Sequence, residues 1–459
     1  MTTESTRSID RADIASLRAA VRGDVHRPAD PAYETISFNA TVSRHPWAVI
    51  DVVDADDVAA VVAFAADNGM TVAVHATGHG ATPIGGDTLL VRTGGLAGLH
   101  VDASARTARV GAGLRWQAVI DAAAPLGLAP VCGSAPSVGV VGLLTGAGIG
   151  PMVRALGSSA DYVREFTVVT GDASIRRAAP DENAELYWGL RGGKGTLGIV
   201  VDALIDLLPI RGFYGGALYF DGDHADAVLH AWNAWIDTLP DDADTSVALL
   251  RLPDMPGVPP MLAGRLTVAV RFVSLADPAT AASILAPMRD VAVPLLDAVS
   301  PLPYAAIGAV HADPADPMPV FEDSVLLGEV TPNTIAALLE QAGPAAHCPL
   351  LMVEMRLLGG ALSRPSEHPS ALCHRAAAAN LQIVGVLVPP IADLVPEAVG
   401  SLLQALASFS DGSRLPNFTA ASDPSVIGRC YDDDTRAWLI ALAGQYDPAG
   451  VLAVGQVVR

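Results

Sequence analysis

A chain of 459 residues, 51% hydrophobic and 17% charged, carries enough apolar material for two or three packed lobes, because a single core rarely keeps growing at this length. Its 49 acidic against 28 basic residues leave a formal net charge of −21, a field that repels phosphate backbones and anionic lipid and excludes nucleic acid and membrane surfaces as expected partners. Four cysteines, Cys132, Cys348, Cys373 and Cys430, show no CxxC spacing and are too few for a disulfide framework, which fits a reduced, cytoplasmic setting.

Residues 1–20 lack a basic segment followed by an apolar run, and no stretch is apolar for the length of a bilayer, so a soluble protein is expected. In chain order, residues 8–22 predict an amphipathic helix with Ile9, Ile14, Leu17 and Val21 on one side. Residues 48–53 predict a strand, 56–68 a helix stopped by Gly69, and 71–74 a second strand, a βαβ unit that runs into VHATGHGATPIGGD, residues 74–87. Short strands follow at 88–92 and 108–110, then a helix over 115–126. The stretch GSAPSVGVVGLLTGAGIG, residues 133–150, is too glycine-dense for a regular element and too apolar for a solvated linker, so it is expected to wrap a ligand. Alternation marks strands at 163–170 and 197–207. From 209 onward, proline-rich connectors separate strands at 266–272 and 351–358 from alanine-rich helices at 278–288 and 331–341, which predicts a second, α+β lobe. Residues 435–459 predict a helix and a short terminal strand that pairs back on the first lobe. The expected division is 1–207, 208–408 and a C-terminal return over 409–459.

Two of the 11 histidines, His75 and His79, fall in one glycine-rich turn. Four apart on a helix they could share a metal, but Gly78, Gly80 and Pro83 oppose a helix there, and no metal site is expected. GLRGGKGTLGIV contains GxGxxG at Gly193, Gly195 and Gly198. The DENAELYWGL before it predicts a helix where a dinucleotide-binding unit needs a strand, and Gly195 follows Lys194 where a P-loop needs Ser or Thr. Three glycine-rich loops beside apolar strands can still offer backbone N–H groups to a diphosphate and flat surfaces to an extended cofactor. By spacing alone, ordinary turns in a glycine-rich protein would look the same.

The succession HATGHGATPIGGD, GSAPSVGVVGLLTGAGIGPMVRALGSSADYV, ELYWGLRGGKGTLGIVV, GGALSRPSEHPSALCHRAAAANLQI and YDPAGVLAVGQVV, in that order from about residue 35 to the end, resembles the FAD-dependent oxidoreductases of the vanillyl-alcohol oxidase (PCMH-type) superfamily, in their berberine bridge enzyme-like branch. The resemblance implies an α+β fold with a two-lobed FAD-binding domain made by both chain ends, and a central substrate domain whose antiparallel sheet, flanked by helices, covers the flavin. It implies FAD bonded through its 8α-methyl to His79, which falls on the last His of the family's R-x-G-G-H loop, with His75 on the Arg position. It places His75, Ala76, Thr77, Gly78, His79, Gly80 and Thr82, with Pro136, Ser137, Val138, Gly139, Val141, Gly142, Leu143, Thr145, Gly146 and Gly148, around the diphosphate and ribityl chain. It gives Gly198, Ile199 and Val200 to the ring as backbone, and adds Asn417 from the Asn-Tyr position near the end.

Departures from the family pattern sharpen these expectations. Where many relatives hold the flavin a second time through a Cys in GxCPxVG, GSAPSVG has Ala135, and Cys132 lies three residues earlier, so one covalent bond is expected. Leu143 replaces a His that many relatives use near the ribityl chain. After His374 and Arg375, Gln382 matches a substrate-facing Gln, but the frequent acid/base position is Asn380, and the Asn-Tyr pair is Asn417 and Phe418. Neither Asn nor Phe can take a proton at neutral pH. Glu354, Tyr304, Asn380 and Gln382 form the expected substrate-side set, with Glu354 a candidate proton acceptor or substrate hydrogen-bonding group by strand alternation and His311 and Tyr162 as further titratable candidates; each titratable one is more often structural than catalytic. The expected activity is hydride removal from a small, apolar secondary-metabolite intermediate, with O2 reoxidising the flavin. The rivals are a dehydrogenase with another acceptor and a flavin-holding binding protein with little turnover. The oligomeric state stays open.

Overall fold

A computed structural model describes residues 12–459. The helix expected over 8–22 is described only in part, as Ile14–Ala20, and Ile9 lies outside the described residues. Strands β1 (Asp24–His26), β2 (Ala48–Asp51), β3 (Thr71–His75) and β4 (Thr88–Arg92) form a sheet in the order β1-β2-β4-β3. β2 and β3 both run parallel to β4 between them, joined by the helix Ala55–Asn68. That helix starts where the Asp54 side chain accepts from Asp57 N–H and stops at Gly69 in left-handed conformation (φ 63°), and it buries Val58, Val61, Val62 and Ala65 at helical spacing. The buried Asp57 carboxylate accepts from the backbone N–H groups of Arg22 (2.7 Å), Gly23 (3.1 Å) and Val53 (3.0 Å), pinning three chain segments at one point.

Strands β5 (Leu99–Asp102), β6 (Thr107–Gly111), β7 (Val163–Val169), β8 (Ile175–Ala178) and β9 (Ile199–Asp206) form a second, antiparallel sheet in the order β5-β6-β9-β7-β8. The third and largest sheet contains β10 (Gly212–Asp221), β11 (Ala243–Arg251), β12 (Leu266–Ser274), β13 (Leu296–Asp297), β14 (Ser300–Pro303), β15 (Val320–Leu327), β16 (Met352–Leu357) and β17 (Ala379–Val386). Its order is β13-β10-β12-β11-β16-β17-β15, with β14 paired to β10. Period-two alternation turns Val247, Leu249, Val353, Met355, Leu381, Ile383, Val325 and Leu327 toward the helices Ala225–Ile236, Pro278–Arg289, Pro332–Ala342 and Val395–Ala405, where they share one buried core. The same alternation turns Glu354, Gln382 and Ser324, which stand in register with one another, to the opposite face.

Two expectations need correction. Residues 133–150 are not wholly irregular: Gly139 and Gly146 bracket a helix, Val140–Thr145, because the apolar VVGLLT between them buries Val140, Leu143 and Leu144. The terminal strand is absent too. After the helix Asp433–Tyr446 the buried Asp447 carboxylate accepts from the N–H groups of Val451 (2.8 Å) and Leu452 (2.9 Å) and pairs with Arg459 (2.8 Å), which folds the tail into turns. The tail still meets the first sheet, through Val72 N–H to Val451 C=O at 2.8 Å.

Candidate functional site

One cleft, with about 2490 Å³ of empty space including its open mouth, runs between the glycine-rich loops and the open face of the large sheet. Its walls are the end of β3 and the loop after it, the 133–145 segment, the 194–200 segment and the C-terminal turns, while Val320, Glu322, Met352, Glu354, Gln382 and Val384 close it from the sheet. Glycine is needed here for two reasons. Gly78 takes φ +75°, and a Cβ there would come within 2.9 Å of Ser37 and the His75 ring. Gly80 and Gly142 have nothing within 4 Å of a Cβ, so their backbone stays bare toward whatever fills the space.

Of the residues expected around a cofactor, Ala76, Thr77, Gly78, His79, Gly80, Thr82, Val138, Gly139, Val141, Gly142, Leu143, Thr145, Gly198, Ile199, Val200 and Asn417 line the cleft. His75, Pro136, Ser137, Gly146 and Gly148 stand outside its lining. Gly146 is packed on Asn417 and Lys194, and Gly148, at φ +78°, on Ser159. His75 instead receives the Arg44 guanidinium on Nδ1 at 2.8 Å, so it positions a cation that does reach the cleft.

Burial, with Arg44 and Arg92 nearby, lowers the His75 pKa to about 4, and burial with Arg115 does the same to His79. Both rings are therefore neutral at pH 7. A base whose folded pKa lies below its unfolded value near 6.5 adds stability above that pH and loses it as pH falls toward 4. The thermal midpoint should fall across that window, and His75→Gln should remove roughly 1–3 kcal/mol of the pH-dependent loss. An unchanged pH profile in the variant would refute the assignment.

The His79 ring stacks on Phe38 (centroids 4.1 Å apart, 14° between planes) and holds Nδ1 2.9 Å from Thr77 Oγ1, while Nε2 is buried without a hydrogen-bond partner. Ala135 lines the cleft and Cys132 does not. The Cys132 thiol lies 3.5 Å from the Tyr304 hydroxyl, and burial pushes its pKa up to about 11, so it is no nucleophile toward the cleft. Lys194, passed over in the sequence beyond excluding a P-loop, takes φ 55° and donates from Nζ to Asn417 Oδ1 and to Gly142 C=O (3.4 Å), while Asn417 Nδ2 donates to Leu143 C=O at 2.8 Å. The pair ties three loops together, and burial lowers the Lys194 pKa to about 8. A cation inside a glycine loop was the signal that could have drawn attention to it.

On the sheet side, Glu354 does turn to the cleft, but its surroundings suit a clamped counter-ion better than the expected proton acceptor. Only 2% exposed, it accepts from Ser246 Oγ (2.6 Å), Arg271 (2.9 Å) and Arg356 (3.1 Å), with His311 Nε2 at 3.2 Å. Burial pushes its pKa up, yet Arg356, Arg271 and His311 outweigh burial and hold it well below the usual carboxylate range. A carboxylate that stable is a poor base. Tyr304 is also corrected: it is buried away from the cleft and its hydroxyl donates to Pro130 C=O. Asn380, opposite Arg356 one row beyond Gln382, is fully buried and outside the lining. His311 is buried beside Glu354, and Tyr162 donates to Leu156 C=O at 2.8 Å. Gln382 lines the cleft with Oε1 unpartnered, as does Phe418, over whose ring the Arg356 guanidinium sits at 5.5 Å. Arg375 pairs with Asp161 at 2.6 Å outside the cleft. Among the described residues no group of three or more His, Cys, Asp or Glu is placed to hold a metal, and no helix is long and apolar enough to cross a membrane.

This arrangement is an extended glycine-lined cleft under an antiparallel sheet, and residues 46–179 match the family described as FAD binding domain. (R)-6-hydroxynicotine oxidase of Paenarthrobacter nicotinovorans is 31% identical over 198 residues, which span 42% of this chain and 43% of that protein, so the match covers less than half of the curated relative. The structure of 6-hydroxy-D-nicotine oxidase from Arthrobacter nicotinovorans superposes with a TM-score of 0.83 at 20% identity over 96% of this chain and 98% of that one. Glucooligosaccharide oxidase from Acremonium strictum, whose FAD is described as 6-S-cysteinyl, 8α-N1-histidyl, superposes at 0.82 and 20% identity over 98% of this chain and 99% of that one. Residues 46–179 are therefore an FAD binding domain by their match, and the whole chain shares the fold of these flavin oxidases.

Proposed function

We propose that the protein is an FAD-dependent oxidase that removes a hydride from a small organic substrate, with its FAD bonded once, to His79. The observation that carries the reading is the single cleft that joins the glycine-rich loops, a buried imidazole with an unpartnered nitrogen and a polar sheet face. These residues fit FAD: the bare backbone at Gly80 and Gly142 suits a diphosphate, and Lys194 offers a cation beside Gly142. When bound, FAD supplies the two-electron acceptor. His79 would tether it, while Ala135 in the lining and the buried Cys132 support a single bond. The unpartnered Nε and Nη1 of Arg356 and Oε1 of Gln382 would orient the substrate, which Met318, Val320, Met352, Val384 and Phe418 would enclose in apolar surface.

That lining supports an apolar secondary-metabolite intermediate over a sugar. The oxidase names of the relatives support O2 as acceptor, and the four free cysteines a cytoplasmic setting. Anaerobic stopped-flow mixing of the holoprotein with a panel of cyclic secondary amines, benzylic alcohols and aldoses tests it. At least one apolar class should bleach the flavin band, and admitting O2 should restore it. A flavin that dithionite reduces and no panel compound does would overturn the reading.

A further inference from the structure

We propose that Glu322 is the catalytic proton acceptor, the carboxylate on β15 that takes the substrate's acidic proton as hydride leaves. The inference rests on the oxidase reading above and adds the group that reading lacks, since the two usual base positions are Asn380 and Phe418 and Glu354 is spent on Arg271 and Arg356.

Register places Glu322 opposite Val384, one row from the Ser324–Gln382–Glu354 row and on the same face. Both Glu322 and Val384 line the cleft. Among the described residues no hydrogen bond or ion pair holds its carboxylate, in contrast to the four groups around Glu354. The other titratable groups facing this space are Arg44, His79, Lys194, Asp313, Glu354 and Arg356. Arg44 and Arg356 are cations, His79 is the tether, Lys194 is bound to Asn417 and Gly142, and Asp313 sits exposed on the loop after the turn Tyr304–Val310. That leaves Glu322 as a half-buried, unpartnered carboxylate on a rigid strand. Burial first, and Asp313 second, push its pKa above the usual value, which moves a carboxylate toward the range where it both accepts and returns protons.

The step balances as follows. A substrate with an O–H or N–H beside the reacting C–H gives that proton to Glu322. The C–H bond breaks with its electron pair, which bound FAD would accept as hydride, and a C=O or C=N bond forms. Glu322 returns its proton to water at the cleft mouth, and O2 would take up the two electrons with two protons and leave as hydrogen peroxide.

The test uses holoprotein and the panel named above. With any compound that reduces the wild-type flavin, Glu322→Gln should lower the limiting reduction rate roughly a hundredfold or more, with flavin content unchanged, and Glu322→Asp should recover part of it. The wild-type rate should drop as pH falls through the Glu322 titration, Asp313→Asn should move that limb to lower pH, and E322Q should abolish it. An E322Q rate within about threefold of wild type, with its acid limb intact, would overturn the proposal. If no compound reduces the wild-type flavin, the functional reading fails by itself, and benzylamine decides the placement of Glu322. Its binding, read from the flavin spectrum, should strengthen as Glu322 ionises and weaken roughly tenfold in E322Q, the scale of one charge-assisted contact. Identical binding by both proteins at every pH would overturn the placement.

Discussion

Replacing His79 with alanine should give a folded, yellow protein whose entire flavin content is released by acid, where the wild-type precipitate stays coloured. The imidazole offers a buried, unpartnered Nε2, whereas the amine of the glycine loops, Lys194, is engaged by Asn417 and Gly142. Ala135 lines it without a reactive atom, and Cys132 keeps its thiol buried and protonated beside Tyr304. Noncovalent retention is expected because the loops at 133–145 and 194–200, the C-terminal turns and the sheet supply most of the lining without the His79 ring. Removing a nitrogen substituent from the 8α carbon returns electron density to the ring, so the potential should drop by about 30 mV for each tenfold lost in preference for the reduced form. Substrate-driven reduction should slow with it. Peptide mass spectrometry is the check: wild-type flavin wholly in the supernatant, or a flavinylated Cys132 peptide, would refute the single histidyl bond.

The largest loss of stability is expected from Glu354→Leu. The Glu354 carboxylate stands between Arg271 and Arg356, both nearly as buried as itself, and removing it leaves two guanidiniums facing each other without a counter-charge. Breaking a buried ion pair from one side costs about 3–5 kcal/mol, and this site loses two pairs at once. Glu354→Gln keeps the volume and the Ser246 contact and should cost less. A carboxylate whose folded pKa is depressed adds stability above its unfolded value near 4.5 and loses it as pH falls through the folded one, so the gap between wild type and E354Q should narrow below about pH 4. Thermal unfolding at several pH values reads both effects. If E354Q instead unfolds like wild type while flavin reduction collapses, Glu354 is the proton acceptor after all and the role assigned to Glu322 is wrong.

The two glutamates show where sequence reading stopped. MVEMRLL allowed Glu354 to face the cleft, and it does; what surrounds it could not be read, because Arg271 comes from β12, His311 from the end of the turn Tyr304–Val310 and Ser246 from β11. Glu322 stood in VFEDSVLL with the same alternation, but nothing local says which phase faces the cleft until Ser324 is seen in register with Gln382. Tyr304 was a reasonable candidate by residue type, and only its contact with Pro130 and Cys132 shows it to be structural.

What the sequence by itself determined is the place of the cofactor side and not its purpose. HATGHGATPIGGD and GSAPSVGVVGLLTGAG are local glycine-rich stretches whose bare backbone lines the cleft, but spacing alone fits ordinary turns as well, and it was the order of five segments along the chain that pointed to FAD. The βαβ start was equally local, written in Asp54, the apolar spacing through Ala65 and the stop at Gly69. The tertiary structure alone decided the substrate side and the tail. Whether a carboxylate is a base or a clamped counter-ion depends on charges brought from distant strands, through fields that act across space and not along the chain. The tail closes as turns because Asp447 satisfies its N–H groups and Arg459, partners that a strand pattern cannot reveal.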